Sequence, residues 1–221
     1  MQDNQTLRTP GDVGQVSALL MTMVSGYIDA HLFLRYQSFA FAQTGNVVFF
    51  AVALVQHHPW TRYLWPLLAY ATGLALAQLL RGVRPALPRH FMVAVMVGQV
   101  AIFAVLAMLP AATPAAIFLV VLSLVGAIRL DLFRSAGGLS LVTIATTGNL
   151  MRLAQSVAAM VRDRRAGQVH AAVFSVLVVA AFAVGAFLGA LATVHVSSAA
   201  LWGAVAIEAL ALVSYLAASR P

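Results

Sequence analysis

Long apolar stretches alternate with short polar or proline-bearing joints along the whole chain, and eight of the stretches are long enough to be helices at membrane depth. They run from about Val13 to Leu34, Ser38 to Val55, Tyr63 to Leu80, Phe91 to Leu109, Ala115 to Leu132, Leu139 to Val161, Val169 to Val194 and Ala199 to Ala217. The joints are brief. His57, His58, Pro59 and Arg62 mark the second, and the third, Arg81 to His90, holds three Arg and two Pro and stops a helix firmly. Pro110 and Pro114 make a tight turn, and the sixth stretch ends in Arg162-Asp163-Arg164-Arg165. A spanning helix takes roughly 20 mostly apolar residues, so the pattern predicts an all-α polytopic membrane protein with no soluble domain. Residues 1–12 form a polar tail that reads as an uncleaved start rather than a signal peptide.

The stretches fall into two homologous sets of four, at 13–110 and 111–221. Gly26 with Asp29 is matched by Gly126 with Asp131, and Gly73-x-x-x-Ala77 by Gly185-x-x-x-Gly189. Between them stands a repeated triplet: Thr44-Gly45-Asn46 in the second stretch and Thr147-Gly148-Asn149 in the sixth. Small residues at four-residue spacing let helix backbones approach closely in lipid, and generic packing accounts for them. Charge decides how many stretches cross. If all eight span with the N-terminus inside, loop and tail Arg residues split evenly, and the positive-inside tendency fails. If the second and sixth enter and return on one side, Arg8, Arg81, Arg84, Arg89, Arg129, Arg134, Arg162, Arg164, Arg165 and Arg220 fall inside, against Arg35 and Arg62 outside. The same bias results if only the second crosses and the N-terminus is outside. Repeat symmetry selects the six-crossing arrangement, in which the halves are inverted repeats.

Composition agrees with the pattern. The 221 residues are 62% apolar and 9% charged with a mean hydropathy of +0.93, whereas soluble domains are about 45–50% apolar and about 25% charged. The absence of cysteine excludes disulfides, thiolate metal sites and a cysteine nucleophile. All thirteen basic residues are Arg, and the formal charge of +7 reads as topogenic charge in short loops rather than a nucleic-acid surface.

The candidate chemistry centres on the triplets. Gly permits a helix to break in mid-membrane, and Asn is costly there unless its amide finds partners. A Thr just before a helix caps its free N–H groups. Helices starting at Val47 and Leu150 would then offer backbone donors and a partial positive charge to an anion or polar solute. Irregular backbone at that depth must be buried in protein or line a wet cavity. Thr44, Gly45, Asn46, Thr147, Gly148 and Asn149 are therefore candidate substrate-binding residues, with Asp29 as a proton carrier or a partner for Arg152, and Arg152, three residues after Asn149, as the group for an anion. The alternative is that both Asn side chains only glue helices together. Arg129, Asp131 and Arg134 read as an interfacial salt-bridge cluster, and Glu208 as a packing partner. No catalytic, metal or nucleotide motif is present, so neither an enzyme nor a cofactor is expected.

Gly26-Tyr-Ile-Asp29-Ala30 followed by Thr44-Gly45-Asn46, then Phe133-Arg134, Gly137-Gly138 and Thr147-Gly148-Asn149, resembles the pattern of the YoaK family of bacterial membrane proteins, DUF1275. The resemblance covers nearly the whole chain. It implies a bacterial inner-membrane protein with about six spans and no established activity. The sequence departs from that family at Arg129-Leu130-Asp131, where relatives tend to carry an uncharged, Gln-containing stretch. The reading is a small-solute transporter or channel in a lipid bilayer, its unknown solute pointed toward an anion by Arg152. A non-transporting scaffold or accessory subunit is the alternative, and homo-oligomerisation is left open.

Overall fold

The computed structural model describes residues 12–83, 88–133, 135–136, 139–140, 146–162 and 166–218. Among these are eight helices: α1 (Gln15–Tyr36), α2 (Gln43–Val55), α3 (Thr61–Val83), α4 (Arg89–Met108), α5 (Ala115–Leu132), α6 (Thr146–Arg162), α7 (Ala166–Val196) and α8 (Leu201–Ala217). A 3-10 turn, Ser197–Ala200, leads into α8. The protein is all-helical, and the eight helices fall on the eight apolar stretches. Three two-residue strands add a small clasp that hydropathy does not signal: β1 (Asp12–Val13) pairs in parallel with β2 (Ser135–Ala136), and β2 pairs antiparallel with β3 (Leu139–Ser140). The clasp ties the start of α1 to the end of α5.

Helices α1, α3, α4, α5 and α7 are long and apolar enough to cross a membrane. Helix α8, 17 mostly apolar residues that include the acidic Glu208, with the 3-10 turn before it, is close to that length. Helix α2 is different. Its 13 residues rise only about 20 Å, short of the roughly 30 Å hydrocarbon core. The chain also leaves and returns at one level, because Ser38 Oγ donates to the Arg62 carbonyl at 3.0 Å across the excursion. The second stretch is therefore a re-entrant segment rather than a span.

Two parallel helix pairs organise the bundle. Helix α1 packs most extensively on α7, and α3 on α5. Gln15 lies 2.6 Å from His170 at the start of the first pair, and His31 Nδ1 lies 2.8 Å from Thr193 Oγ1 near its end, which fixes the direction. The seam depends on missing side chains: a Cβ at Gly26 would strike the Phe182 carbonyl, and one at Gly185 or Gly189 the carbonyls of Met23 or Tyr27. Gly73 does the same for α3, facing the Leu124 carbonyl and Ala127 of α5. Such close approach lets dispersion and weak polar contacts hold helices where lipid supplies no hydrophobic drive. Helix α8 fills the space between α1 and α4, while α2 lies on α3 and α6 on α7.

Candidate functional site

The chain reverses at the end of α1 on Gln37, a left-handed residue with φ 56° whose N–H and side-chain amide both donate to the Phe33 carbonyl at 2.9 Å. It then folds back along α1. Asp29, seven residues before the helix end and so about 10 Å down it, accepts three backbone N–H bonds: Ala40 and Phe41 on Oδ1 and Ala42 on Oδ2, each at 2.9 Å. Asp29 is buried, and these amides satisfy its carboxylate in place of water. A row of amides closing on a carboxylate is a strong, charge-assisted arrangement. Tyr70 of α3 stands near enough to feel the Asp29 charge. Phe41 presses its ring on Gly126 of α5, where a Cβ would collide with it.

Asn46 is fully buried and fully used. Its Oδ1 accepts from Ser38 Oγ and the Phe39 N–H, both at 3.0 Å, and its Nδ2 donates to the Phe39 carbonyl at 2.7 Å and Gln43 Oε1 at 3.0 Å. Gln43 in turn donates to the Ala40 carbonyl at 2.6 Å and reaches Ser123 Oγ of α5 at 3.4 Å. Phe39, Phe33, Phe49 and Tyr63 stack in series above this knot and bind α2 to α1 and α3. A Cβ at Gly45 would lie 2.8 Å from the Phe39 ring, so the middle residue of the triplet makes room for that stack.

The helix start differs from the sequence expectation. Helix α2 begins at Gln43 and α6 at Thr146, not at Val47 and Leu150, so both triplets lie inside the first turn. Thr44 is no cap: Ala42 holds that position without a side-chain bond. The amides ahead of the helix are taken by Asp29, and those of Gln43, Gly45 and Asn46 bond back to Phe41 and Ala42 carbonyls. The physical reason is that a buried carboxylate outcompetes any neutral cap for desolvated N–H groups. A surface cleft of about 200 Å³ opens beside α2, lined by Phe49, Val52, Gln56, His58, Arg62 and Tyr63 among others. Asn46 is not part of its wall.

In the second half, the triplet backbone lies in α6, and Gly148 is half-buried. The side chains of Thr147 and Asn149 lie outside the described residues. Arg152 is half-buried on α6. Among the described residues, α2 and α6 share no extensive packing.

Arg129 and Asp131, expected in one interfacial cluster with Arg134, take different partners, and Arg134 lies outside the described residues. Arg81 Nε meets Asp131 Oδ2 at 2.6 Å, and Gln78 Nε2 donates to Asp131 Oδ1 at 2.5 Å. Arg81 also donates to the Asp131 and Leu132 carbonyls, closing the end of α5. Arg129 points the other way, into the bundle, where Nη1 meets Glu208 Oε2 at 3.0 Å and Nη2 donates to the Met21 carbonyl. Two residues apart on a helix point nearly opposite ways, which sends these neighbours to different partners. By spacing, Arg129 stands three residues after Gly126 as Asp29 stands three after Gly26, whereas Asp131 stands five after it. The sequence reading passed over Gln99, whose signal was a lone amide in the apolar run Phe91 to Leu109.

A family model described as a protein of unknown function (DUF1275) matches residues 17–214. The chain belongs to this family. No curated protein and no solved structure matches it. The matched region of this DUF1275 protein runs from within α1 to within α8, so the α2 excursion, both ion pairs and the glycine seams lie inside the family unit.

Proposed function

We propose that this DUF1275 protein is a small-solute transporter or channel of a bacterial inner membrane, built from two inverted halves and performing no catalysis. The observation that carries the reading is the α1–α2 re-entry, in which backbone is folded back to the depth of Asp29 and held there by three amide bonds. Irregular backbone at depth is a recurrent feature of carriers. The packing supports duplication: the first helix of each half lies on the third helix of the other, α1 on α7 and α5 on α3, with α2 on α3 and α6 on α7 in matching places. Arg35 and Arg62 stand at one end of the bundle and Arg81 and Arg89 at the other, which supports a cytoplasmic start for α1.

The test is flux through vesicles reconstituted with the purified protein, followed by light scattering for acetate, nitrate, urea and glycerol. At least one of these is expected to equilibrate about tenfold faster than in protein-free vesicles, and no acceleration for any of them would overturn the reading. The complete bonding of Asn46 favours a second reading, a non-transporting scaffold. Asn46→Ala separates the two: loss of flux in a folded protein supports transport, and loss of the fold supports the scaffold.

A further inference from the structure

The hydrophobic interior is two clusters, not one, and the division between them runs at the same level through four helices. On α4, Met92 and Met96 belong to one cluster and Phe103 and Leu106 to the other, with Gln99 between. On α8, Ala211 and Ala204 bracket Glu208 in the same way, and on α5, Leu132 and Val125 bracket Arg129. On α1 the change falls between Met21 and Val24, and the Met21 carbonyl is the one that accepts from Arg129. Helix α4 packs chiefly on α8, antiparallel, with Arg89 Nη2 at 3.5 Å from the Leu216 carbonyl. Counting ten residues along each from that contact sets Gln99 level with Ala206, within about one helical turn of the height of Glu208.

Side chains in this layer are buried, yet their hydrogen bonding is incomplete. Among the described residues, five buried side-chain atoms find no protein partner, and four belong here: Gln99 Nε2 and Oε1, Arg129 Nε and Glu208 Oε1. A buried polar atom left without its bond is costly, so four in this layer form a feature that packing alone does not account for. Their chemistry is specific. Arg129 Nε and Gln99 Nε2 are donors, and Glu208 Oε1 is an acceptor whose twin oxygen is already held.

We propose that this layer binds a small monovalent oxyanion together with one proton. As it stands, the guanidinium and carboxylate cancel, and adding an ion alone would put a net charge in hydrocarbon at prohibitive cost. Uptake of a proton by Glu208 opens the Arg129 Nη1 to Glu208 Oε2 bond. The anion's oxygens then take the unpartnered Arg129 Nε–H and the Gln99 Nε2–H, while the new Glu208 hydroxyl donates to Gln99 Oε1. The layer is neutral before and after. Arg129 is the anchor, since a guanidinium suits oxyanion geometry.

Other ionisable groups on the elements packed against α8 are engaged elsewhere or lie at helix ends. Tyr27 donates to the Ala200 carbonyl at 2.6 Å, Asp29 holds the re-entrant amides, and His31 bonds Thr193. Arg35 at the end of α1 lies over the Tyr36 ring, and Arg89 and His90 sit at the start of α4. His170 meets Gln15 at the start of α7, and His195 is exposed near its end. Glu208 therefore meets Arg129 as its charged neighbour.

This inference rests on the transport reading and names what is carried, so binding is measured apart from flux. Sodium nitrate is titrated into purified protein in weakly buffered detergent at neutral pH, with proton uptake and the infrared carboxyl band recorded. About one proton taken up per nitrate bound is expected, with a protonated-carboxyl band absent from Glu208→Gln. Gln99→Leu keeps the ion pair, folds, and is expected to weaken nitrate binding roughly tenfold, the loss of one charge-assisted hydrogen bond. Absence of nitrate binding, binding without proton uptake, or wild-type affinity in Gln99→Leu would each overturn the site. Because Glu208→Gln leaves Arg129 uncompensated and can fail to fold, the wild-type proton count and Gln99→Leu decide without it. Coupled binding with no flux in vesicles sinks the transport reading and keeps the site; urea flux with no nitrate binding does the reverse.

Discussion

Ser38 and Arg62 are joined by a hydrogen bond from the serine hydroxyl to the arginine carbonyl at 3.0 Å. The 23 residues between them therefore form a closed excursion, and α2 ends on the face where it began. Topology follows. With no cysteine in the chain, single introduced cysteines report side without background. Gln56→Cys and Ala111→Cys are expected to react with an impermeant maleimide from one face of sealed vesicles, and Gly82→Cys and Arg162→Cys from the other. Were α2 a true span, Gln56→Cys would label with the opposite set from Arg35→Cys.

The Asp29 carboxylate holds the re-entry in place. Removing it with Asp29→Ala leaves three buried N–H groups without an acceptor, a cost of roughly 3–5 kcal/mol at about 1–3 kcal/mol each with partial relaxation. Asp29→Asn keeps one good acceptor oxygen but turns an NH₂ toward the third amide, so it is expected to fall between wild type and Asp29→Ala. Thermal unfolding in detergent orders the three, and proteolysis within residues 38–42 should rise in the same order.

What was legible in advance follows from what hydropathy encodes. Eight apolar runs gave eight helices because transfer into lipid is decided residue by residue. Counting charges did not by itself separate the short second run from true spans, because the same bias results with that run crossing; its 13-residue helix and the Ser38–Arg62 bond are features of the structure. The role of the first triplet was not legible. Asn46 carries a costly amide at depth, which marks it as special, but its partners Ser38, Phe39 and Gln43 lie three to eight residues before it, and only the irregular path of residues 38–42, which hydropathy does not encode, folds them onto its amide. Arg129 was misplaced because sequence proximity to Asp131 suggested one cluster, whereas two residues of helical rotation part them. Gln99 went unnoticed because a single neutral amide hardly lowers the hydropathy of a 20-residue helix.

Glycines divide sharply by surroundings, which makes paired substitutions informative. At Gly185 a Cβ would overlap the Met23 backbone, and backbone cannot rotate aside as a side chain can. Gly185→Val is expected to yield no folded protein, since parting α1 from α7 undoes the longest seam in the bundle. Gly98 of α4 has nothing within 4 Å of where its Cβ would be. Gly98→Ala is expected to stabilise by about 0.5–1 kcal/mol through reduced backbone entropy of the unfolded chain. Equal effects at both positions, measured by monodisperse yield and midpoint of thermal unfolding, would contradict the seam.

Arg81 and Asp131 face unequal surroundings, and their ion pair should respond unequally to loss of either partner. The Arg81 side chain is 24% exposed and Asp131 is 0% exposed. Asp131→Asn leaves a guanidinium that can extend to the interface and rehydrate, as long basic side chains near helix ends do. Arg81→Met removes the guanidinium at 2.6 Å from a fully buried carboxylate, and a short acidic side chain cannot extend to the interface as a long basic one can. Arg81→Met is therefore expected to destabilise markedly more than Asp131→Asn. The double variant should be more stable than Arg81→Met alone, because replacing both members of a buried pair removes the desolvation cost along with the attraction. A coupling energy of roughly 1–3 kcal/mol from the complete cycle fits residues in direct contact. Strictly additive losses would mean that the two side chains stabilise α3 and α5 independently, and that the contact at their ends is incidental.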